Sequence, residues 1–579
     1  MNVLDHHRSG INQCHGFILA AGLGSRLLPL TQWLPKPLMP LNQVTLLELI
    51  LEKFQHSGFQ EVGLNGHHHS DLMERFLHEL DTPLQCHYFH EGVLLDTAGG
   101  LRNASAFLCQ RPLVLFHNAD IISDLPLALL VQEHQNSKAE ITLALVAEGP
   151  KRQVIINQNQ EILSIAEPKA EEEADPCLKF NYAGIAVMNT ALLEEIPKGP
   201  CGLVSFWQTR LLTHPGTIRG VPFFPNYWLD VGTWPDYFNL QQRMLQDGSL
   251  VLPHAVRPLP EQGSQRRYFR LGRQPSLILQ WDPGPVEEFK RHVVATELLN
   301  RYDLGAPQLM AFDESLGMCL MEDLGPLTVF EQIQASDQVR EDELETSLVV
   351  LAKFLVRFQT TLMPYFPNTT PFAGEVLDET ALLGESDYFF REVAHLLLKG
   401  PSIMNADLEK ERQHLAREVA SHPLVPIHRD FQSKNLVFKE HKVRLLDYQG
   451  LRWGSVAYDL ASLLFDPYLP LTPPSYQRPL QAFVEEHRRE NAVVGWEENG
   501  ERMLLEAACQ RLLQAAGAYA RLGYGLGKTW FRPFLPIAIE RLCWVLDQSP
   551  MKGRYPQWRS FLGHCQQVVA HLPEQFPPQ

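Results

Sequence analysis

Short apolar runs alternate with amphipathic stretches over the first 240 residues. The pattern predicts strands at 16–20, 61–64, 84–90 and 112–117, and helices at 45–57, 70–79 and 99–107. Strands alternating with helices imply a mostly parallel sheet covered on both faces. The rhythm breaks at 246–260, where Gly248, Pro253, Pro258 and Pro260 mark a junction. Beyond it, 267–270 and 276–281 predict paired strands and 286–301 a helix. From Glu341 onward the pattern is mainly helical, with long candidates at 343–359, 501–522 and 533–546, interrupted by strand-like segments at 435–438 and 443–446. The expected division is a domain at 1–245, a linker at 246–260, a small sheet-bearing lobe at 261–325 and a large helical lobe at 326–579.

Composition narrows the classes of partner. A chain of 579 residues is too long for a single core, which supports several domains. The net charge of -17 argues against a nucleic-acid backbone as partner, because such binding needs clustered Lys and Arg. No apolar run approaches the roughly 18 residues of a membrane span, so no membrane partner is expected. Residues 1–16 carry neither a basic nor an apolar segment of the kind that directs secretion. The nine cysteines are dispersed without a CxxC pair, which reads as reduced thiols in a cytoplasmic protein.

Candidate chemistry enters first at Phe17-Ile18-Leu19-Ala20-Ala21-Gly22-Leu23-Gly24-Ser25-Arg26, followed by Leu34-Pro35-Lys36-Pro37. A strand that runs into a Gly-rich loop places backbone amides beyond its carboxyl end, where open α/β sheets bind ligands. Gly22 and Gly24 admit backbone conformations and close approach that side chains would block. Successive amides can then cradle a triphosphate. Arg26 and Lys36 add positive charge where it is needed as an α-phosphate is attacked. Asp120 ends an apolar run in Phe116-His117-Asn118-Ala119-Asp120, and Asp230 lies in Trp228-Leu229-Asp230-Val231-Gly232-Thr233. A carboxylate at the end of a buried strand is costly unless paired or metal-bound. Mg²⁺ held by a couple of carboxylates and substrate phosphates suits the pair; taken singly, either Asp also reads as a strand end or helix cap. His67, His68, His69, His87 and His90 invite a zinc reading, but three consecutive side chains cannot converge on one ion in regular structure. A solvent-exposed loop is the expectation there.

The set resembles the sugar nucleotidyltransferase family over residues 14–245. The resemblance implies that Asp120 and Asp230 hold the metal and that Arg26 and Lys36 contact phosphate. It also places Ala20, Ala21, Gly22 and Gly24 at the nucleotide, and Gly99 and Gly100, within Asp96-Thr97-Ala98-Gly99-Gly100, against the base. Glu167 and Asn181 would face the sugar. Without a β-helical extension, the domain is most similar to the N-acetylmuramate 1-phosphate uridylyltransferase group. One departure is Ala119, where the family usually has Gly just before the Asp. The implied reaction is attack of a sugar 1-phosphate on the α-phosphate of UTP, releasing pyrophosphate.

A second chemistry lies in His428-Arg429-Asp430-Phe431-Gln432-Ser433-Lys434-Asn435 and Leu445-Leu446-Asp447-Tyr448-Gln449-Gly450. One short loop with this spacing can present a base, Asp430, and a metal ligand, Asn435. Asp447, after a short strand, would hold the metal that bridges ATP phosphates. His428 is expected to order the loop rather than to move protons. Residues 255–575 resemble the aminoglycoside phosphotransferase-like kinases, most closely the N-acetylmuramate/N-acetylglucosamine anomeric kinases. Arg266-Arg267-Tyr268-Phe269-Arg270, the two motifs above and Ala457-Tyr458-Asp459-Leu460-Ala461 carry that likeness. It implies that Ser264 and Arg267 cover the phosphates, that Met321 and Asp323 belong to the adenine hinge, and that Asp459 braces the catalytic loop. Gln280 departs from the pattern, standing near the place of the usual phosphate-pairing Lys. Arg266, Arg267 and Arg270 are the candidate replacements, and Glu288 and Glu297 stay unranked as partners.

The expectation is therefore an α/β chain: a Rossmann-like nucleotidyltransferase with a mixed, mostly parallel sheet, then a two-lobed protein-kinase-like fold. ATP would phosphorylate the anomeric hydroxyl of N-acetylmuramate or N-acetylglucosamine in peptidoglycan recycling. UTP would then convert the sugar 1-phosphate, with Mg²⁺ at both sites. The alternatives are another hexose with guanylyl or adenylyl transfer, choline kinase joined to a cytidylyltransferase, or a degenerate nucleotide-binding scaffold.

Overall fold

The structure is a computed structural model. It describes residues 11–41, 44–147, 153–166, 178–246, 259, 266–272, 276–335, 341–369, 371–394, 396, 405–471, 473–490 and 496–569. Glu167 and Ser264 lie outside these residues. The described residues fall into two compact units: Met1–Glu261 with Gln265–Pro283 and Met310–Glu322, and Gln262–Ser264 with Gly284–Leu309 and Asp323–Gln579.

The first unit is built on a nine-stranded mixed sheet. Cys14–Leu19 is its central strand, pairing parallel with Glu61–Gly66 on one side and Leu113–Asn118 on the other. Gln85–His90 extends the parallel part. Leu178–Asn189 joins Leu113–Asn118 antiparallel and carries the remaining strands. Helices cover both faces of the inner strands, so Cys14–Leu19 and Leu113–Asn118 are buried along their length rather than alternating, while the edge strand Gln85–His90 is only half-buried. Phe17 enters one core, where its ring meets Phe89, while its neighbour Ile18 enters the opposite core with Phe54. The helix Leu46–His56 begins at a capping box, in which the Glu48 amide donates to Thr45 Oγ1 and the Thr45 amide donates to Glu48 Oε2. The helix expected at 99–107 is two pieces, Asp96–Asn103 and Ser105–Leu108, parted at Ala104.

Arg267–Leu271, Leu277–Trp281, Met318–Glu322 and Leu309–Asp313 form a four-stranded sheet in that order, which from Met310 onward and over its first two strands is counted with the first unit. The second unit is mainly helical. Its long helix Trp496–Ala520 buries Met503, Leu504, Leu505, Ala507 and Cys509, residues spread around its circumference, as a central helix must. That helix starts before the expected 501 and gives way at Arg521–Gly525 to a π-helical turn. The expected strand pair is the hairpin Leu436–Lys439 and Lys442–Leu445, which starts one residue late because Ser433–Asn435 forms a 3₁₀ turn. No helix among the described residues is long and apolar enough to cross a membrane.

Candidate active sites

Parallel pairing sets the register of the first site. Leu19 lies beside Asn118, and the Ala119 amide donates to the Leu19 carbonyl at 3.1 Å. The Gly-rich loop and the segment bearing Asp120 therefore leave adjacent strands at the same carboxyl edge. Gly24 sits at φ 62°, and a Cβ there would come within 2.8 Å of Thr31 Cγ2, so glycine is required twice over. Gly22 has open space around it instead, and its loop is exposed. Lys36 Nζ donates to Asp120 Oδ2 at 2.6 Å. Trp228–Asp230 pairs with Ile121–Ser123, and the Val231 amide donates to the Asp120 carbonyl at 2.8 Å. Asp120, Asp230 and Lys36 are thus brought together, while Arg26 is exposed in the 3₁₀ turn Ser25–Leu27.

Ala20 and Ala21 are buried at the loop's root. The Ala20 amide donates to Asn65 Oδ1 at 2.7 Å, Asn65 Nδ2 donates to Glu91 Oε1 at 2.8 Å, and Glu91 Oε2 accepts from the Leu95 amide at 2.9 Å. This buried relay was not apparent from the sequence. Gly99 and Gly100 are buried beside it, and a Cβ on Gly100 would lie 2.3 Å from Asn65 Nδ2. Asn181 is half-buried in Leu178–Asn189, opposite Val146 and Gln153. The histidines bind separate partners: His67 reaches the Glu91 carbonyl, His68 the Thr31 carbonyl, His87 Glu61 and His90 Ser70. Behind the carboxylates, Lys53 Nζ donates to the carbonyl and hydroxyl of Ser123, and burial lowers its pKa to about 7. Buried His117 falls to about 3 through burial and then the charge of Lys53.

The second site is held more tightly. Asp459 is fully buried and accepts from the His428 amide at 2.5 Å and the Arg429 amide at 2.9 Å. Burial pushes its pKa up to about 7 against those two bonds. Asp466 accepts from the Ser433 amide at 2.7 Å and braces the other end of the loop. His428 is buried, its pKa lowered to about 4, and its Nε2 meets the Leu446 carbonyl at 3.0 Å. It is therefore a neutral imidazole that donates to the carbonyl just before Asp447. Asn435 Nδ2 donates to the Asp430 carbonyl at 2.9 Å, and the Leu446 amide donates to the Asn435 carbonyl at 2.8 Å. The hairpin thus brings Asp430, Asn435 and the segment entering Asp447 together. Arg429 and Asp447 have φ of 79° and 58°, a left-handed geometry that non-glycine residues keep only where their surroundings enforce it.

Arg511, on the central helix, donates from Nη2 to Asp430 Oδ1 at 3.1 Å. Burial opposes its charge, but Asp430 foremost, with Tyr458, Tyr519 and Glu385, raises its pKa above the ordinary value. Nearby, buried Glu385 accepts from the Tyr458 hydroxyl at 3.0 Å and lies 3.7 Å from Arg429, and burial raises its carboxyl pKa. Arg511, Glu385 and Asp466 were missed in the sequence. The available signal for Arg511 was a charge set directly before Leu512-Leu513, in a helix whose other charges, Glu497, Glu498, Glu501, Arg502 and Glu506, lie nearer its start.

Of the remaining expected contacts, Arg267 is exposed, its guanidinium 5.3 Å from the centre of the Trp281 ring. Met321 is buried in its strand, and the Asp323 carbonyl accepts from Lys439 Nζ at 2.8 Å. Gln280 is fully buried, with no hydrogen-bond partner for either amide atom among the described residues. Arg266 Nε pairs with buried Asp282 at 2.7 Å.

Residues 15–247 match the family described as nucleotidyl transferase, and residues 255–493 the phosphotransferase enzyme family. The mannose-1-phosphate guanylyltransferase of Mycobacterium tuberculosis is 28% identical over 254 residues, 43% of this chain and 67% of its own length. The UTP–glucose-1-phosphate uridylyltransferase of Synechocystis sp. is 28% identical over 242 residues, 38% of this chain and 61% of its own. The chain thus spans about two thirds of these relatives. The N-acetylmuramate/N-acetylglucosamine kinase of Pseudomonas aeruginosa is 26% identical over 360 residues, 57% of this chain and 96% of its own.

Proposed function

Because the chain joins a nucleotidyl transferase domain to a phosphotransferase-family kinase domain, we propose that it performs two consecutive steps on one amino sugar. The second half phosphorylates the anomeric hydroxyl of N-acetylmuramate or N-acetylglucosamine with ATP. The first half then transfers a uridylyl group from UTP to the sugar 1-phosphate and releases pyrophosphate. The observation that carries this reading is the loop joining Asp430 to Asn435, pinned by Asp459, in a segment similar to an amino-sugar kinase over 96% of that kinase's length. Its product class, a sugar 1-phosphate, is the substrate class in the names of the nucleotidyltransferase relatives.

Asp430 orients the attacking hydroxyl and accepts its proton as the phosphoryl group transfers. Lys36, poised at Asp120, and Arg26 supply positive charge to the α-phosphate of UTP. Both donor sets suit Mg²⁺, being hard oxygen ligands in pairs: Asp120 with Asp230, and Asn435 with Asp447. Among the described residues no cluster of three or more His, Cys, Asp or Glu gathers for a metal, so substrate phosphates would complete either shell. When bound, Mg²⁺ neutralises charge on the transferring phosphates. Glu167, Ser264, Asn181, Gly99, Gly100, Met321 and Asp323 keep the substrate and nucleotide roles that the family resemblance implies.

A second reading, guanylyl transfer from GTP, is favoured by the mannose-1-phosphate guanylyltransferase relative. Phosphorus NMR separates the two. Protein, Mg²⁺, ATP and N-acetylmuramate should yield an anomeric phosphate, which UTP then converts to a nucleoside diphosphate sugar. Conversion with GTP alone selects the second reading. Absence of turnover across amino sugars, neutral hexoses and choline rejects both.

A further inference from the structure

The short helix Tyr458–Leu464 performs two tasks from one face. Asp459 holds the backbone of the catalytic loop, and Ser462, three residues on, accepts from Arg511 Nε at 3.0 Å. Arg511 also donates to Gln514 Oε1 on its own helix, so its guanidinium is fixed from two sides. The rest of the fork points at the loop: Nη2 donates to Asp430 Oδ1 at 3.1 Å and to Gln432 Oε1 at 3.0 Å. Exposure separates the partners. The Arg511 side chain is 7% exposed and that of Asp430 28% exposed, so the cation meets the carboxylate from the protein interior. Among the described residues, Asp430 Oδ2 has no hydrogen-bond donor.

We propose that Arg511 is the positioning residue for Asp430, fixing Oδ1 from beneath so that Oδ2 faces the acceptor hydroxyl; this rests on the kinase reading above. A planar, five-donor fork can set the orientation of a carboxylate, whereas the point charge of a lysine sets only its distance. Loss of the fork frees the Asp430 side chain to rotate while the loop backbone, held separately by Asp459, stays in place. The consequence is confined to the chemical step, since every donor of the guanidinium described above is spent on Ser462, Gln514, Asp430 and Gln432.

Full-length protein is assayed for ADP release with ATP and whichever of N-acetylmuramate, N-acetylglucosamine, mannose or choline it turns over. Arg511→Ala should lower kcat about 10²-fold, the scale of a misplaced reacting group, with the KM for ATP within about twofold of wild type. Millimolar guanidinium ion should restore activity to Arg511→Ala, and Arg511→Lys should lie between the two. A kcat near wild type in Arg511→Ala overturns the inference. So does a loss spread equally over kcat and ATP affinity that neither Lys nor guanidinium relieves, because that marks a purely structural role. Should Arg511→Ala fail to fold, Arg511→Lys and Ser462→Ala decide: lowered kcat with unchanged ATP KM supports the inference, and unchanged kcat in both overturns it. Asp430→Ala, run in parallel, separates the levels. If it keeps full activity the kinase reading falls; if it is dead while Arg511→Ala is normal, only the role of Arg511 falls.

Discussion

The two phosphate sites are held in different ways. The catalytic loop of the second unit is fixed by two buried carboxylates on its backbone, a buried imidazole beside Asp447 and a buried guanidinium on Asp430. The Gly-rich loop of the first unit is anchored at its root through Ala20 and Asn65, and beyond it Gly22, Leu23, Ser25 and Arg26 are exposed. Its main ion pair, Lys36 with Asp120, is as sheltered as Arg511 with Asp430, at 11% and 27% side-chain exposure, so the difference lies in the loop backbone. Phosphoryl transfer to a small hydroxyl depends on orienting a carboxylate, so rigid support is built into the fold. A loop that wraps a triphosphate can take its final shape from the ligand's own charge. One candidate site is fixed by protein contacts along its loop; the other keeps an exposed Gly-rich loop beyond its anchored root.

The largest effects should break the comparison cleanly in two. Asp430→Ala should lower ADP formation by about 10³-fold or more, within the range of a lost general base, and leave nucleotidyl transfer to added sugar 1-phosphate unchanged. Asp120→Ala should do the reverse, so that sugar 1-phosphate accumulates. Paired ADP and pyrophosphate assays on each variant test this. If either substitution stopped both reactions in folded protein, the two-site account would be wrong.

Smaller effects measure how differently the sites are supported. Asp459→Ala leaves two buried amide donors without an acceptor, at about 1–3 kcal/mol each, and should lower both kinase activity and the thermal midpoint of its unit. Lys36→Met should reduce nucleotidyl transfer about 10²-fold, the scale of one lost transition-state donor. Its effect on stability should be within about 1 kcal/mol, since Asp120, at 27% exposure, keeps access to water once the lysine is gone. Calorimetry beside the two assays is the check. A large fall in melting temperature for Lys36→Met would mean that the first site is as rigidly built as the second.

This asymmetry also governs what could be read from the chain. The alternating pattern gave the sheet, because a strand buried on both faces must be apolar throughout. Motif spacing singled out Asp430, Asn435 and Asp447, because the chain itself is short between them, while Asp120 stood out as a carboxylate ending an apolar strand. The supporting residues are long-range: Asn65 reaches Glu91 across two strands, and Arg511 reaches Asp430 from a helix 81 positions later. Nothing local distinguishes them from any buried polar residue. Gln280 was noticed as a departure, but only packing shows that it is fully buried. The helix at Asp96–Asn103 starts before the expected 99, at an Asp96 that takes a left-handed conformation and accepts from the Thr97 amide, a feature invisible to periodicity.

The smallest effect probes a feature that both sites share. His117 and His428 are each buried and neutral, with Nδ1 of His117 on the Asn118 carbonyl and Nε2 of His428 on the Leu446 carbonyl. Burial lowers their pKa values from 6.5 to about 3 and about 4. Between pH 6.5 and those values the unfolded chain takes up a proton at each position and the folded chain does not. Stability therefore falls as pH drops through this window and is unaffected by either group above pH 7. At pH 5 each histidine should cost about 2 kcal/mol relative to pH 7, at 1.36 kcal/mol per unit. Asn can reproduce a donor at the Nδ1 position and Gln one at Nε2, without the titration. His117→Asn should thus flatten the acid limb of the first unit's melting curve, and His428→Gln that of the second, with little change at pH 7.5. If both limbs keep their slopes, the acid sensitivity arises elsewhere and the two imidazoles are not the shared weak point.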